Sequence, residues 1–220
     1  MLYSMSSGSR PDTRTAILDA ARVVFEGQGY FGGALEAVAK KAGVSRQAIY
    51  LHFASKAELL TALHLRIYET DVAPAVERHP IWTAATALEA LDACIAGNAE
   101  VASKVWRIHE ALVVARRHHP EVDETLRPRE EERYQEMARL GRWLKKEQVL
   151  PPKMRVGTFA DILWGLASLG THQNLVVERG WSIDRYTRWV RDTIRSQLNA
   201  VSAPLTPMAN SSTSPAEALH

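Results

Sequence analysis

Apolar residues recur along this chain at the three-and-four spacing of helices that bury one face. Ile17, Ala20, Ala21 and Val24 mark the first such face, with Asp12 or Thr13 placed to cap it and Gly27, Gly29, Gly32 and Gly33 placed to end it. Leu35, Val38 and Ala39 predict a short second helix running to Lys41. In Ala42-Gly43-Val44-Ser45 the glycine supplies a turn and the serine caps a brief third helix, Arg46 to His52. After the cap Ser55, the positions Leu59, Leu60, Leu63 and Ile67 predict a longer helix that bends or stops near Pro74. Further helices are expected over about 83–98, 101–118, 128–148, 154–178 and 183–199, punctuated by Pro80, Gly97, Pro120, Pro128, Pro151, Pro152 and Gly180. No segment alternates with period two and no repeat of solenoid length is present, so the expected fold is all-α, with about nine helices.

Composition narrows the class without naming a function. The chain has 220 residues, 46% of them apolar, and 27 Lys+Arg against 25 Asp+Glu, for a formal charge of +2. That is a globular balance, long enough to bury a core without disulfides or metals. The single cysteine, Cys94, cannot form an internal disulfide, which suits a reducing compartment. Residues 1–11 are Ser/Gly-rich and lack the apolar stretch of a signal peptide, and residues 203–220 carry Pro204, Pro207 and Pro215 in a Pro/Ser/Thr/Ala-rich run. Both are expected to be disordered, as leader and tail. The most apolar stretch, Ile81 to Gly97, carries Glu89 and Asp92 and falls short of the roughly 20 apolar residues that span a bilayer. The expectation is a cytoplasmic protein with no membrane partner.

The informative segment is 29–60. A helix, a four-residue turn with glycine and a capped second helix form the arrangement that places a recognition helix in the DNA major groove. Arg46 can bind guanine O6 and N7 together, and Gln47 can pair with adenine N6 and N7. Tyr50, His52 and Lys56 can donate to phosphates. Between Glu36 and Glu58 stand Lys40, Lys41, Arg46 and Lys56 with no acidic residue, so a basic patch sits inside a near-neutral total.

This run resembles the DNA-binding domain of the TetR family of transcriptional regulators. The resemblance is strongest in Val38-Ala39-Lys40-Lys41-Ala42-Gly43-Val44-Ser45 and in Tyr50-Leu51-His52-Phe53-Ala54-Ser55-Lys56-Ala57-Glu58-Leu59-Leu60, and it covers about 12–60. It implies a DNA-binding domain over 12–54, with Tyr50 and Lys56 on phosphates and Ser45, Arg46 and Gln47 near bases. The family usually opens its second helix with Thr or Ser, where this sequence has Gly33 and Ala34. The resemblance also implies a helical ligand-binding and dimerisation domain over 55–202, a homodimer on a palindromic double-stranded DNA operator, and repression relieved when a small, largely apolar effector binds. Candidate effector residues are Trp106, His109, Trp143, Trp164 and His172. Candidate interface residues are Trp164, Ser168, Leu169, Tyr186, Trp189 and Ile194, since the last two helices carry more apolar surface than a lone pair could bury. Activation of transcription, or control by a protein partner, would suit the same fold.

Other motifs fail on context. Gly27-Gln28-Gly29-Tyr30-Phe31-Gly32 spells a dinucleotide fingerprint but follows a helix, not a strand. His109-Glu110 would open a zinc-protease motif whose closing position is Val113, and His118-His119 reads as a cationic helix end. Gly165-Leu166-Ala167-Ser168-Leu169-Gly170 has Leu166 where a hydrolase elbow needs glycine. The alternating charges of 129–146 read as a solvated face, on which Arg129 and Arg133 repel. No metal or cofactor is expected. An enzyme using His109 and Glu110 as an acid–base pair is the competing class, weakened because adjacent helical residues point about 100° apart.

Overall fold

Every regular element within residues 12–199, the part of the chain described by this computed structural model, is helical. The leader 1–11 and tail 203–220 lie outside the described residues. The order is α1 (Thr13–Gly32), α2 (Leu35–Ala42), α3 (Arg46–His52), α4 (Lys56–Ile67), α5 (Ala73–Arg78), α6 (Ala87–Arg116), α7 (Pro120–Lys146), α8 (Val156–Leu166), α9 (Leu169–His172) and α10 (Ile183–Asn199).

The short N-terminal helices form where local chemistry demands them. Ser45 accepts from the Ala48 amide at 3.0 Å and starts α3. Gly43 ends α2 in the left-handed region, φ +69°, where other residues are strained. Ser55 accepts from the Glu58 amide, and Glu58 reaches back to the Ala54 amide at 2.6 Å, a reciprocal cap for α4. Helix α1 does not stop at the glycines; it kinks at Gly29, φ +66°, and resumes to Gly32. Asp12 is its N-cap residue but makes no side-chain cap bond.

Four expected boundaries differ in the structure. Gly97 does not divide α6: a Cβ there would stand 3.2 Å from His79, so the glycine serves close packing inside one long helix. Pro128 is exposed and lies within α7 without ending it. The single helix expected over 154–178 is three pieces: α8 stops at Leu166, Ser168 caps α9, and a π-helical segment, Gln173–Glu178, follows. Near Pro74 the rod from α4 continues through a π-helical turn, Tyr68–Val72, into α5 rather than stopping. Proline has no N–H to donate, and a widened turn takes up the register.

Two apolar cores organise these helices. The first joins α1 to α4 with Ile108, Ala111, Leu112 and Ala115 of α6 and Val122 and Leu126 of α7. The second joins the first half of α6 with the latter half of α7, α8 and α10. Helices α6 and α7 run through both and carry the N-terminal helices on one end of the body.

Gly33 is buried against α1, and a Cβ there would lie 2.5 Å from the Phe25 ring and 2.9 Å from the Gly29 carbonyl. Gly33→Ala is therefore expected to cost about 1–3 kcal/mol through overpacking, read as a lower urea midpoint with an unchanged slope.

Candidate nucleic-acid interface and interior cavity

The recognition helix α3 is held by its buried side. Ile49 and Phe53 pack into the first core, which turns Arg46, Gln47, Tyr50, Leu51 and His52 outward. Arg46 is ion-paired with Glu36 of α2 and donates to the Tyr50 hydroxyl at 3.1 Å. Gln47 and His52 are exposed, as are Lys40 and Lys41 on α2. Lys56 is half-buried at the start of α4, its ammonium 4.5 Å from the centre of the Tyr30 ring, and burial lowers its pKa. The structure thus brings Arg46 and Tyr50 together and keeps Gln47 and His52 on the same exposed helix, with Lys56 at its flank. Ser45 is exposed but its hydroxyl is engaged as a cap. Leu51, 81% exposed, is an apolar side chain that the sequence reading passed over. Its signal was there: Leu51 follows Gln47 by four residues and so shares its face.

At the N-terminus of α2 the N-cap position is Ala34, with no side-chain cap. Gly33 and Ala34, which depart from the usual Thr or Ser, leave the first amides of α2 without a side-chain acceptor.

Behind these helices the chain encloses a cavity of about 430 Å³ between α4, α6 and α7. Helix α4 contributes His64 and the π-helical turn Tyr68; α6 contributes Cys94, Asn98, Val105 and His109; α7 contributes Arg129, Arg133, Met137 and Leu140; and Trp82 also lines it. Arg129 lies over the Tyr68 ring at 3.9 Å, and Arg139 over Trp82 at 3.8 Å. Burial, reinforced by Arg129 and His109, lowers the His64 pKa to about 4, although Glu130 pulls the other way. Burial likewise lowers His109 and raises the Cys94 thiol to about 11. Both imidazoles are therefore neutral near pH 7, and the thiol is unreactive.

Of the five candidate effector residues, His109 lines this cavity and the other four do not. Trp106 lies one helical step from Val105 and packs under Arg107 at 4.9 Å. Trp143 donates to Glu147 at 2.6 Å, and Trp164 packs between Arg133 and Tyr134. His172 is 1% exposed and sits edge-on to Tyr186 in the second core, with no partner for either ring nitrogen. Helical phase accounts for Trp106, one step from the lining Val105, while Trp143, Trp164 and His172 are held by the contacts just named.

The candidate interface residues also divide. Tyr186 and Ile194 are 2% and 1% exposed within this one chain, so they cannot meet a partner: the apolar face of α10 is turned onto α6 and α8. Tyr186 donates to the Leu166 carbonyl at 2.9 Å. Leu169 lines the cavity and Ser168 caps α9. Trp164 and Trp189 keep partly exposed surface.

Arg129, Arg133, His64 and Tyr68 were not singled out in the sequence. The pair read as a solvated, repelling couple is instead part of the cavity wall. One signal pointed to it: Leu126, Met137, Leu140 and Leu144 form an apolar stripe on α7, and Arg133 takes a position in that stripe. His109 and Glu110 diverge, one lining the cavity and the other exposed and hydrogen-bonded to Gln173. Among the described residues there is no cluster of His, Cys, Asp and Glu that could hold a metal ion, and no helix is long and apolar enough to cross a membrane.

Comparison with known proteins bears on the N-terminal helices first. Residues 17–63 match the family model for bacterial regulatory proteins of the tetR family. The transcriptional regulator SrpR of Pseudomonas putida is 48% identical over 52 residues, which is 24% of each chain. The regulator UidR of Escherichia coli K12 is 36% identical over 73 residues, 33% of this chain and 37% of its own. The matches thus span about a quarter to two-fifths of these curated relatives. The fold likeness runs further. A protein of Saccharomonospora viridis solved in complex with choline has a TM-score of 0.72 at 22% identity, over 84% of this chain and 96% of its own. The transcriptional regulator FadR of Bacillus subtilis, solved with stearoyl-CoA, has a TM-score of 0.66 at 20% identity, over 83% and 98%. These relatives are transcriptional regulators rather than enzymes, and the all-helical architecture is the one the hydrophobic spacing predicts.

The cavity histidine generates a pH prediction. Because the folded pKa of His64 lies below its unfolded value, the unfolded chain binds the proton more tightly. The stability due to neutral His64 is therefore full above about pH 6.5 and is lost as pH falls toward 4. Between pH 7.5 and pH 5 the native chain is expected to lose about 2 kcal/mol more than His64→Gln, measured by urea unfolding at the two pH values.

Proposed function

Since residues 17–63 match the family model for bacterial regulatory proteins of the tetR family, we propose that this chain is a TetR-family repressor. It binds a palindromic operator as a homodimer and leaves it when a small molecule occupies the cavity. Residues 12–54 form the DNA-binding head, and the helices from 55 onward form the ligand-binding and dimerisation domain. At the head, Arg46 and Gln47 read base edges with Ser45 beside them, Leu51 meets a thymine methyl, and Tyr50, His52 and Lys56 set register on the backbone. The ion pair between Arg46 and Glu36 orients the guanidinium before DNA arrives and must open, or share it, when a guanine is read.

The observation that carries this reading is the position of α4. Its first residue, Lys56, flanks the recognition helix, while His64 and Tyr68 on the same rod line the cavity. A ligand that shifts His64 and Tyr68 moves the support on which α3 rests. It relieves repression only to the extent that it binds the DNA-incompetent arrangement more tightly. The choline and stearoyl-CoA complexes of the similar structures favour a ligand-responsive body in this fold. Dimerisation through α8 and α10 would use their outward surface, including Trp164 and Trp189, in place of the inward-facing Tyr186 and Ile194.

With an operator selected from random DNA, binding measured by fluorescence anisotropy is expected to weaken by orders of magnitude between about 50 and 200 mM salt. Arg46→Ala is expected to cost about 1–3 kcal/mol and to relax preference at one base pair of each half-site. Equal weakening on every DNA sequence would instead make Arg46 a phosphate contact. A native mass of one chain per half-site that never pairs in solution or on DNA would overturn the homodimer.

A further inference from the structure

The charges on the cavity wall are unevenly placed. Arg133 and Arg129 stand one turn apart on α7, so their side chains leave the helix as neighbours on one face. Neither makes a salt bridge with a carboxylate among the described residues. Arg133 donates through Nε to Asn98 at 3.1 Å and through Nη2 to the Ala167 carbonyl at 2.8 Å, neutral acceptors both. Its remaining Nη1 has no acceptor among the described residues. Burial works against its charge and outweighs the more distant carboxylates of Glu130 and Glu136, neither of which is at contact distance. Among the described residues Arg129 is engaged by the face of Tyr68 and makes no side-chain hydrogen bond. A partly buried guanidinium held by neutral groups, with a second beside it, is an incomplete arrangement, and a planar oxyanion completes it with two parallel hydrogen bonds.

The other groups around the cavity fit the same ligand. Glu130 is committed to Arg116 at 2.8 Å. Glu132 and Glu136 line the cavity but keep exposed surface, which places them at its rim, and partial loss of water together with the neighbouring Glu132 charge raises the Glu136 pKa. His64 is neutral and its Nε2 is buried without a partner, a donor or acceptor that a ligand can satisfy. Met137, Leu140 and Trp82 of the cavity lining offer apolar surface. Tyr68 and Trp82 each already carry an arginine on one face, so an ammonium group drawn to either ring would meet a like charge. At about 430 Å³ the space is that of a small molecule, within the range of ordinary ligand pockets.

We infer that the cavity takes an apolar monocarboxylic acid, its carboxylate on Arg133 and Arg129 and its hydrocarbon body against Met137, Leu140 and Trp82. This deepens the effector reading and rests on it only for its link to DNA. The carboxylate would meet the two guanidinium groups between Asn98 of α6 and Tyr68 of the α4 rod, where binding also bears on the support of the recognition helix.

The test is calorimetric titration of the full-length protein with head-group series on two bodies: decanoate, decan-1-ol and decyltrimethylammonium, and 2-naphthoate with 2-naphthol. At least one carboxylate is expected to bind tenfold or more tightly than the alcohol of the same body. Arg129→Gln and Arg133→Gln are each expected to remove that preference, and Arg133→Lys to restore part of it. Two arginine variants keep the test meaningful if one of them unfolds, which circular dichroism reports. Equal binding of acid and alcohol, tighter binding of the ammonium, or no binding by either series overturns the proposal. Operator affinity measured with the bound acid separates the two readings: binding without release from DNA leaves the carboxylate site standing and removes the coupling.

Discussion

Helix α4 carries the constraint on which the other parts rest. Ala57, Leu59, Leu60, Leu63 and Ile67 have almost no contact with water, and they pack on α1 and on the second half of α6. Removing that much apolar surface from water is worth roughly 1.5–3 kcal/mol for each large side chain. The position of α4 is therefore set by the body as firmly as by the N-terminal helices. Helix α3, with one fully buried isoleucine and the following phenylalanine as anchors, has seven residues and could not hold its place alone. Its pose follows from α1 and α4, and theirs from α6.

Polar contacts reinforce that dependence at the junction without supplying its main stability. Arg22 of α1 pairs with Asp71 in the π-helical turn at 2.8 Å, Arg66 of α4 with Asp19 of α1 at 2.9 Å, and the Tyr30 hydroxyl lies 2.7 Å from His119 Nε2. Partly exposed pairs of this kind contribute little each, and what they add is directional. The π-helical turn lies where α4 leaves the first core and meets the cavity, next to a proline that cannot complete an ordinary helical ladder. Irregular backbone at that place lets the rod meet two different surfaces.

Much of this was legible in the residues. The spacing of apolar positions marks α1 to α4 because each is short, amphipathic and bounded by a serine or glycine whose local chemistry is decisive. Helix boundaries in the body were harder to read. Gly97 and Pro128 look like punctuation, yet long-range packing of α6 on His79 and α7 keeps both inside continuous helices. The exposed reading of the recognition helix needed only its own sequence. The cavity needed more, since Trp106, Trp143, Trp164 and His172 are conspicuous in the sequence but do not line it, whereas Arg129 and Arg133 look like surface charge and do.

What the sequence by itself determined is therefore local: the all-helical class, the turn and caps of the N-terminal helices, the basic patch concealed in a charge of +2, and the resemblance carried by 29–60. Tertiary structure alone decided which side chains share a space. It turned Tyr186 and Ile194 inward, set His64 and His109 beside two arginines, and joined the N-terminal helices to the body through one core. The physical reason is range. Caps, turns and periodicity act over one or two turns of the chain, while a cavity or an interface depends on the phase of helices far apart in sequence, where a single step of about 100° decides what a residue meets.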